Sequence, residues 1–314
     1  MLPDVGHGKA PAFLKKNPAG GPGEKPALKS LKKGKVLLDY GPVTMVVEAR
    51  KKGSPDQRAA LAAAREGVAQ LARAAAWLKV IRLPPAAVEI DPSYPPVVNA
   101  MIAAVKATGD PQLTPLAAVA GTIAGFCAQK ARDEGADWVV VNNGGDIALV
   151  IPPGGRIRVG VWEDLNRTGI GRVLEITSES EISGIATSGF GGRSFTLGIA
   201  GAATVLARTP GIADACATVL GNAVNVDHPA IVRVPAASID PDTDIPDLLV
   251  TREVGDLPPD AVAAALQNGL AKARELYEKK LIVGALISLR GRSVHYPPDL
   301  EFALANPVVP ATDD

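Results

Sequence analysis

Apolar positions recur along this chain with two periods, and the switches between them outline the elements. Leu61, Val68, Leu71, Ala75 and Leu78 return at helical spacing and predict a helix over residues 57–78. Residues 94–107 read as a second helix, with Pro95 and Pro96 in its first turn, where a missing N–H costs least. Residues 115–133 read as a third, built of small side chains. Further helices are predicted over 197–207, 212–223 and, with a clear amphipathic pattern, 259–278. Residues 36–47 read as a strand pair broken at Tyr40-Gly41-Pro42. Short strands are predicted over 87–90 (after the Pro84-Pro85 break), 138–141, 147–151, 156–162 and 173–176. Strand and loop fill 231–252. A closing strand spans 281–289, with its turn at Arg290-Gly291-Arg292. Helices and strands mix without strict βαβ alternation, so the expected class is α+β rather than a doubly wound sheet.

Composition sharpens the picture in three places. The chain has 314 residues, 47% of them hydrophobic but only 4% aromatic, so the core is built from Ala, Val, Leu and Ile. Gly (32) and Pro (27) imply many tight turns. Residues 1–34 carry Lys15, Lys16, Lys25, Lys29, Lys32 and Lys33 among Gly and Pro, and read as an extended basic arm. The main domain is expected over 35–296, and a Pro-rich tail over 297–314.

Formal net charge is zero, so no global field draws in nucleic acid or an anionic membrane. The run 116–128 is too short to span a bilayer. The first twenty residues contain no apolar signal-type segment. Cys127 and Cys216 both fall in apolar helical sequence, which suits a reduced compartment. The expectation is a cytoplasmic protein that handles a small molecule, with no nucleic-acid or membrane partner. Homo-oligomer packing is an open use for its small-residue helices.

The polar chemistry concentrates in three segments of the middle third. Asn142-Asn143-Gly144-Gly145-Asp146 lies between two apolar runs. A hairpin turn explains the glycines, since type I′ turns require φ > 0. It does not explain Asp146 or the doubled Asn, and paired strand-end glycines also let a ring or phosphate approach backbone N–H groups. The second segment is Thr187-Ser188-Gly189-Phe190-Gly191-Gly192-Arg193-Ser194. Its glycines, hydroxyls and one Arg suit an anion, although the spacing is not that of a P-loop. In the third, Asp214 and Thr218 are four residues apart on one helix face. A carboxylate with a hydroxyl suits Mg²⁺, a hard cation that borrows phosphate oxygens from its ligand. The competing explanations are a helix-dipole Asp and a back-bonded Thr. Gly121 and Gly125 lie one turn apart on the helix 115–133. Either a packed neighbour or a ligand comes close to that backbone. His7, His228 and His295 are isolated, and Asp227-His228 reads as a turn before Pro229.

The order Asn-x-Gly-Gly-Asp, Ala-Thr-Ser-Gly, Ala-Asp-Ala-x-x-Thr resembles the ApbE-like superfamily, whose members include FAD:protein FMN transferases. It is most similar to the UPF0280 family. That likeness rests on Ser93-Tyr94-Pro95-Pro96-Val97-Val98, on 114–121, on Asn143-Gly144-Gly145-Asp146, on 194–200 and on the helix 212–224. It covers roughly residues 36–295. The resemblance implies an ApbE-like fold, with Mg²⁺ held by Asp214 and Thr218 and bridging the pyrophosphate of FAD or a related cofactor. It also implies a ligand lined by Gly144, Gly145, Asp146, Thr187, Ser188 and Gly189; the chemistry of the segments themselves adds Asn143, Arg193 and Gly121 as cofactor-binding candidates. Asp146 would be a general base or a ligand-orienting group.

Two segments depart from the transferases. Their Lys-Gly-Tyr-Ala stretch is replaced here by Ala120-Gly121-Thr122-Ile123. Their His-x-Ile-Asp-Pro-x-x-Gly stretch is replaced by Phe195-Thr196-Leu197-Gly198-Ile199-Ala200. Two functional expectations follow: a Mg²⁺-assisted transferase or hydrolase acting on a phosphorylated cofactor, or a non-catalytic protein of flavin- or pterin-type cofactor biosynthesis.

Overall fold

A hairpin-rich antiparallel sheet runs through the molecule, and the helices are gathered mainly on one of its faces. A computed structural model describes residues 26–161 and 172–300, and the backbone of 303–304. The elements in chain order are β1 (Ala27–Ser30), β2 (Lys35–Tyr40), β3 (Val43–Lys51), β4 (Ser54–Pro55), α1 (Gln57–Ala76), α2 (Leu78–Ile81), α3 (Pro96–Thr108) and α4 (Val119–Asp133). Next come β5 (Trp138–Asn143), β6 (Asp146–Val150), β7 (Arg156–Val161), β8 (Arg172–Thr177), β9 (Gly184–Ser188), β10 (Ala202–Ala207) and α5 (Pro210–Ala223). The chain continues through β11 (Ile231–Pro235), β12 (Leu249–Val254), α6 (Pro259–Glu278), β13 (Gly284–Leu289), β14 (Arg292–Tyr296) and β15 (Ala303–Leu304).

The main sheet has the order β1-β2-β3-β5-β6-β9-β10-β13-β14, with β4 on the flank of β3. All its described neighbours are antiparallel. Such strands bury alternate residues on opposite faces, and the core divides accordingly. On one face, α1, α3 and α4 cover Val36, Leu38, Met45, Val47, Val139 and Val141. Alongside them, α5 and α6 cover Ala186, Val205, Ala285 and Ile287. On the other face Ile147, Leu149, Ile185, Leu206 and Leu286 meet Ile157, Val159, Leu174 and Ile176 of the small sheet β15-β8-β7. This is α+β architecture, as the mixed pattern predicts.

The structure differs from the periodicity reading in several places. Residues 197–207 are not a helix. Loop leads into β10, whose six residues are all buried. A strand covered on both faces shows a continuous apolar run, which periodicity cannot distinguish from a buried helix. Residues 87–90 are not a strand: Pro85–Ala87 make a single 3-10 turn after Pro84, and the chain then stays extended and unpaired. The helix predicted over 57–78 ends at Ala76, and a short second helix starts at Leu78. Pro115–Ala118 form a 3-10 turn before α4. Of the basic arm, residues 1–25 lie outside the described residues, whereas Ala27–Ser30 pair with β2. Trp162, His7 and most of the tail after Leu300 also lie outside them.

Candidate functional site

Close packing of α4 against the first turns of α5 builds the site. Pro210 opens α5 at a position where no N–H is needed. A Cβ on Gly121 would stand 2.3 Å from Pro210 O and 2.8 Å from Asp214 Cβ. Gly125, one turn on, faces the Pro210 ring, and a Cβ on Gly184 of β9 would stand 2.4 Å from Pro210 Cα. Glycine at 121 and 184 is therefore what lets α5 enter between helix and sheet. With no side chain in the way, Gly121 N–H donates to Asp214 Oδ2 at 2.8 Å. The packing and ligand readings of Gly121 meet here, since the same close approach orients a carboxylate.

The β5–β6 turn supplies the opposite wall. Gly144 and Gly145 both have positive φ, +70° and +112°, and Asn143 pairs with Asp146 across them. This is the two-residue hairpin geometry the sequence suggests. Asn142 Oδ1 accepts the Gly145 N–H at 2.9 Å. Asn143 is buried and donates through Nδ2 to Ala120 O at 3.2 Å, which ties the turn to the start of α4. The Arg193 guanidinium lies over the turn, and a Cβ on Gly144 would come within 1.0 Å of its Nη2.

Asp146 and Asp214 are brought together by this arrangement. Burial pushes the Asp146 carboxyl up to about 7, against the opposing pull of Arg193 and of the Thr187 N–H that it accepts. Burial also raises Asp214 well above the usual carboxylate range. The Asp146 charge raises it further, and the N–H groups of Gly121 and Ala120 oppose the rise. Asp146 and Asp214 are each half-buried as residues, with their carboxyl groups on the enclosed side. Two like charges sharing an enclosed site resist simultaneous ionisation, so the pair retains a proton near neutral pH unless a cation neutralises it.

Thr218 follows Asp214 by one turn. Its hydroxyl donates to Asp214 O at 3.3 Å, the local back-bond that any helical Thr can make. Thr187 Oγ1 lies 2.8 Å from Thr204 Oγ1. Ser188 packs against Gly221 of α5, its Oγ 3.4 Å from where a Cβ would sit. At Gly189 the chain turns with φ +154°, and Phe190 N–H donates to Ala200 O at 2.7 Å. That turn carries Arg193 back toward Gly144. The three sequence segments thus converge, although they come from a strand turn, a strand end with its loop, and a helix.

Ala120 was not singled out from the sequence, because its contribution is entirely backbone: it uses both N–H and C=O here. Pro210 likewise gives no polar signature, and Thr204 is a lone hydroxyl in an apolar run. The other candidates stand apart. His228 Nδ1 accepts the Ala230 N–H at 3.1 Å, the turn role its neighbour Pro229 suggests.

The donors fit a hard divalent cation only in part. Among the described residues no group of three His, Cys, Asp or Glu side chains could hold a metal. Asp146, Asp214 and Thr218 offer oxygens alone, the donor type Mg²⁺ takes, and leave most of its coordination to water or to ligand phosphates. Among the described residues no helix is long and apolar enough to cross a membrane.

Comparison with known proteins identifies the family. A family model described as AbpE bacteria matches residues 28–295. A UPF0280 protein of Methanothrix thermoacetophila is 41% identical over 134 residues, 42% of this chain and 54% of that protein. One from Archaeoglobus fulgidus is 38% identical over 128 residues, 41% of this chain and 50% of that protein. The chain thus spans about half the length of these two relatives. A UPF0280 protein of Methanosphaerula palustris is 34% identical over 173 residues, 54% of this chain and 71% of that protein. Among solved structures, the apo flavinyl transferase ApbE of Pseudomonas stutzeri superposes with a TM-score of 0.46 at 13% identity, covering 86% of this chain and 94% of that one. The chain belongs to the family described as AbpE bacteria, together with the UPF0280 proteins.

Proposed function

We propose that this protein binds a phosphorylated, flavin- or nucleotide-like cofactor through Mg²⁺ held by Asp214, Thr218 and Asp146. The observation that carries the reading is the approach of Asp146 to Asp214, two carboxylates whose charges oppose each other in an enclosed site. Such a pair costs stability unless something neutralises it, and a divalent cation does so. Bound there, Mg²⁺ would offset negative charge on a pyrophosphate as a P–O bond breaks. Gly121 and Ala120 hold Asp214 in place through their N–H groups. Arg193, exposed over Gly144, offers guanidinium donors to a phosphate. Asp146, with its carboxyl near 7, can hold or release a proton at neutral pH. The solved neighbour described as a flavinyl transferase supports a flavin as the first ligand to test. Transfer of a cofactor fragment, or its hydrolysis, is the reaction class this arrangement suits.

A second reading is a non-catalytic protein of cofactor biosynthesis. It is favoured by Ala120-Gly121-Thr122-Ile123, which packs on α5 where the transferases carry Lys, and by the absence of His from 195–200.

The test is thermal unfolding of the purified chain with FAD, FMN, ADP or a pterin, each with and without Mg²⁺. A ligand that binds only the native state adds RT ln(1 + [L]/Kd), about 2.7 kcal/mol at a hundredfold excess over Kd. The expected result is a Mg²⁺-dependent rise with FAD that Asp214→Ala abolishes. No rise with any of the four sinks both readings. A rise without turnover of the ligand leaves the second.

A further inference from the structure

A cavity of about 590 Å³, lined by none of Asp146, Asp214 and Thr218, opens beside the C-terminal end of α5. It falls within the size range of small-molecule sites. Its walls come from the last turns of α5, the strand β11, the start of β12 and α6. The apolar part is Leu197, Val219, Leu248 and Leu249, and Leu249 is 55% exposed, unusual for a leucine at a sheet edge.

Two opposite charges face this cavity without meeting each other. Arg233 is half-buried, and its Nη2 donates to Asn225 Oδ1 and, at 3.4 Å, to Val226 O. Both acceptors are neutral. Among the described residues no carboxylate pairs with Arg233, and its Nε and Nη1 have no protein acceptor. Asp247 is exposed and has no hydrogen-bond or ion-pair partner among the described residues. The remaining charges are already engaged. Lys272 pairs with Glu275 at 2.5 Å, and Asp110 accepts the Gln112 N–H at 2.9 Å within its own turn. Asn222 adds directionality. Its Oδ1 accepts from Leu197 N–H at 2.9 Å and Thr196 Oγ1 at 3.2 Å, so its amide N–H₂ is the end left for a ligand.

We propose that this cavity binds a zwitterion of the amino-acid or short-peptide class with an apolar side chain. Its carboxylate would meet Arg233 and Asn222, its ammonium group Asp247, and its side chain Leu248 and Leu249. A half-buried guanidinium held only by neutral oxygens keeps its Nε–H and Nη1–H donors for charge-assisted bonds to a carboxylate. A cation alone would leave Arg233 unanswered, and an anion alone would leave Asp247 unanswered. The proposal is independent of the metal reading, because it uses neither Asp146 nor Asp214.

The test is isothermal titration of the full chain with L-leucine and with leucylleucine. The N-acetylated and C-amidated forms of each serve as controls. At least one free zwitterion should bind, and either blocked form should bind about tenfold or more weakly, the effect of losing one charge-assisted hydrogen bond. Asp247→Asn and Arg233→Gln should each weaken binding by a similar factor, while Asp214→Asn leaves it unchanged. Among the described residues Asp247 supports no hydrogen bond, so its variant separates recognition from misfolding. No heat with either zwitterion overturns the proposal. So does binding of a blocked form as tight as that of its parent, or an Asp247→Asn variant that binds normally.

Discussion

Gly121 and Asp214 are joined backbone to side chain: the Gly121 N–H donates to Asp214 Oδ2 at 2.8 Å, and a Cβ on Gly121 would lie 2.8 Å from Asp214 Cβ. One residue type thus sets both the helix spacing and the direction of the site carboxylate. Gly121→Ala must push α4 from α5, since its Cβ also meets Pro210 O at 2.3 Å. Overpacking of this kind costs about 1–3 kcal/mol, to be read as a lower urea midpoint at unchanged m-value. The same variant should lose any Mg²⁺-dependent ligand shift. A variant of unaltered stability would show that the two helices are not locked together.

At the opposite wall, Gly144→Ala meets two separable obstacles. The Arg193 guanidinium occupies the space, and φ is +70°. Arg193→Ala removes the first and leaves the second, a penalty of about 1 kcal/mol for a left-handed alanine. In a double-mutant cycle the pair should therefore be less destabilised than the sum of the single variants. Strict additivity would mean that Arg193 moves aside freely.

The carboxylate pair predicts a pH dependence of definite sign. Asp146 is raised from 3.8 to about 7 in the folded chain, so the native state binds more protons than the unfolded state between those values. Its contribution to stability therefore falls as pH rises from about 4 to about 7, and is constant above. Asp146→Asn removes that loss. Its stability relative to the natural chain, measured in EDTA, should improve across this window. Excess Mg²⁺ should shrink the difference at pH 8. A difference independent of pH would show that Asp146 ionises normally.

Thr218→Val should separate fold from site. Among the described residues this hydroxyl makes one bond, the 3.3 Å back-bond to Asp214 O, so stability should change by less than about 1 kcal/mol. Mg²⁺ affinity, followed by titration in the presence of FAD, should fall if the hydroxyl is a ligand. Unchanged affinity would assign Thr218 to the helix alone.

Much of this could be read before any coordinates. The helices α1, α3, α4, α5 and α6 announce themselves through spacing, and the Gly144-Gly145 turn through φ > 0 chemistry. The strand β10 did not. Buried on both sides, it has no polar face to mark its period, so its apolar run passed for a helix. The extended stretch after Pro85 misled in the opposite direction, since its residues are strand-like but have no partner strand.

Local sequence determined which residues carry the polar chemistry and how each short segment turns: a Gly-Gly hairpin, a Thr-Ser-Gly loop, and an Asp and Thr one helical turn apart. These depend on φ preferences and i,i+4 spacing, which act over a few residues. Tertiary structure alone decided that Asp146 and Asp214 face each other and that Ala120 serves the site through its backbone. It also decided that Arg233 and Asp247 share a cavity without pairing. Burial and charge coupling fall off within several ångströms in space and take no account of separation along the chain. They exist only once Gly121 and Gly184 have let α5 settle between helix and sheet.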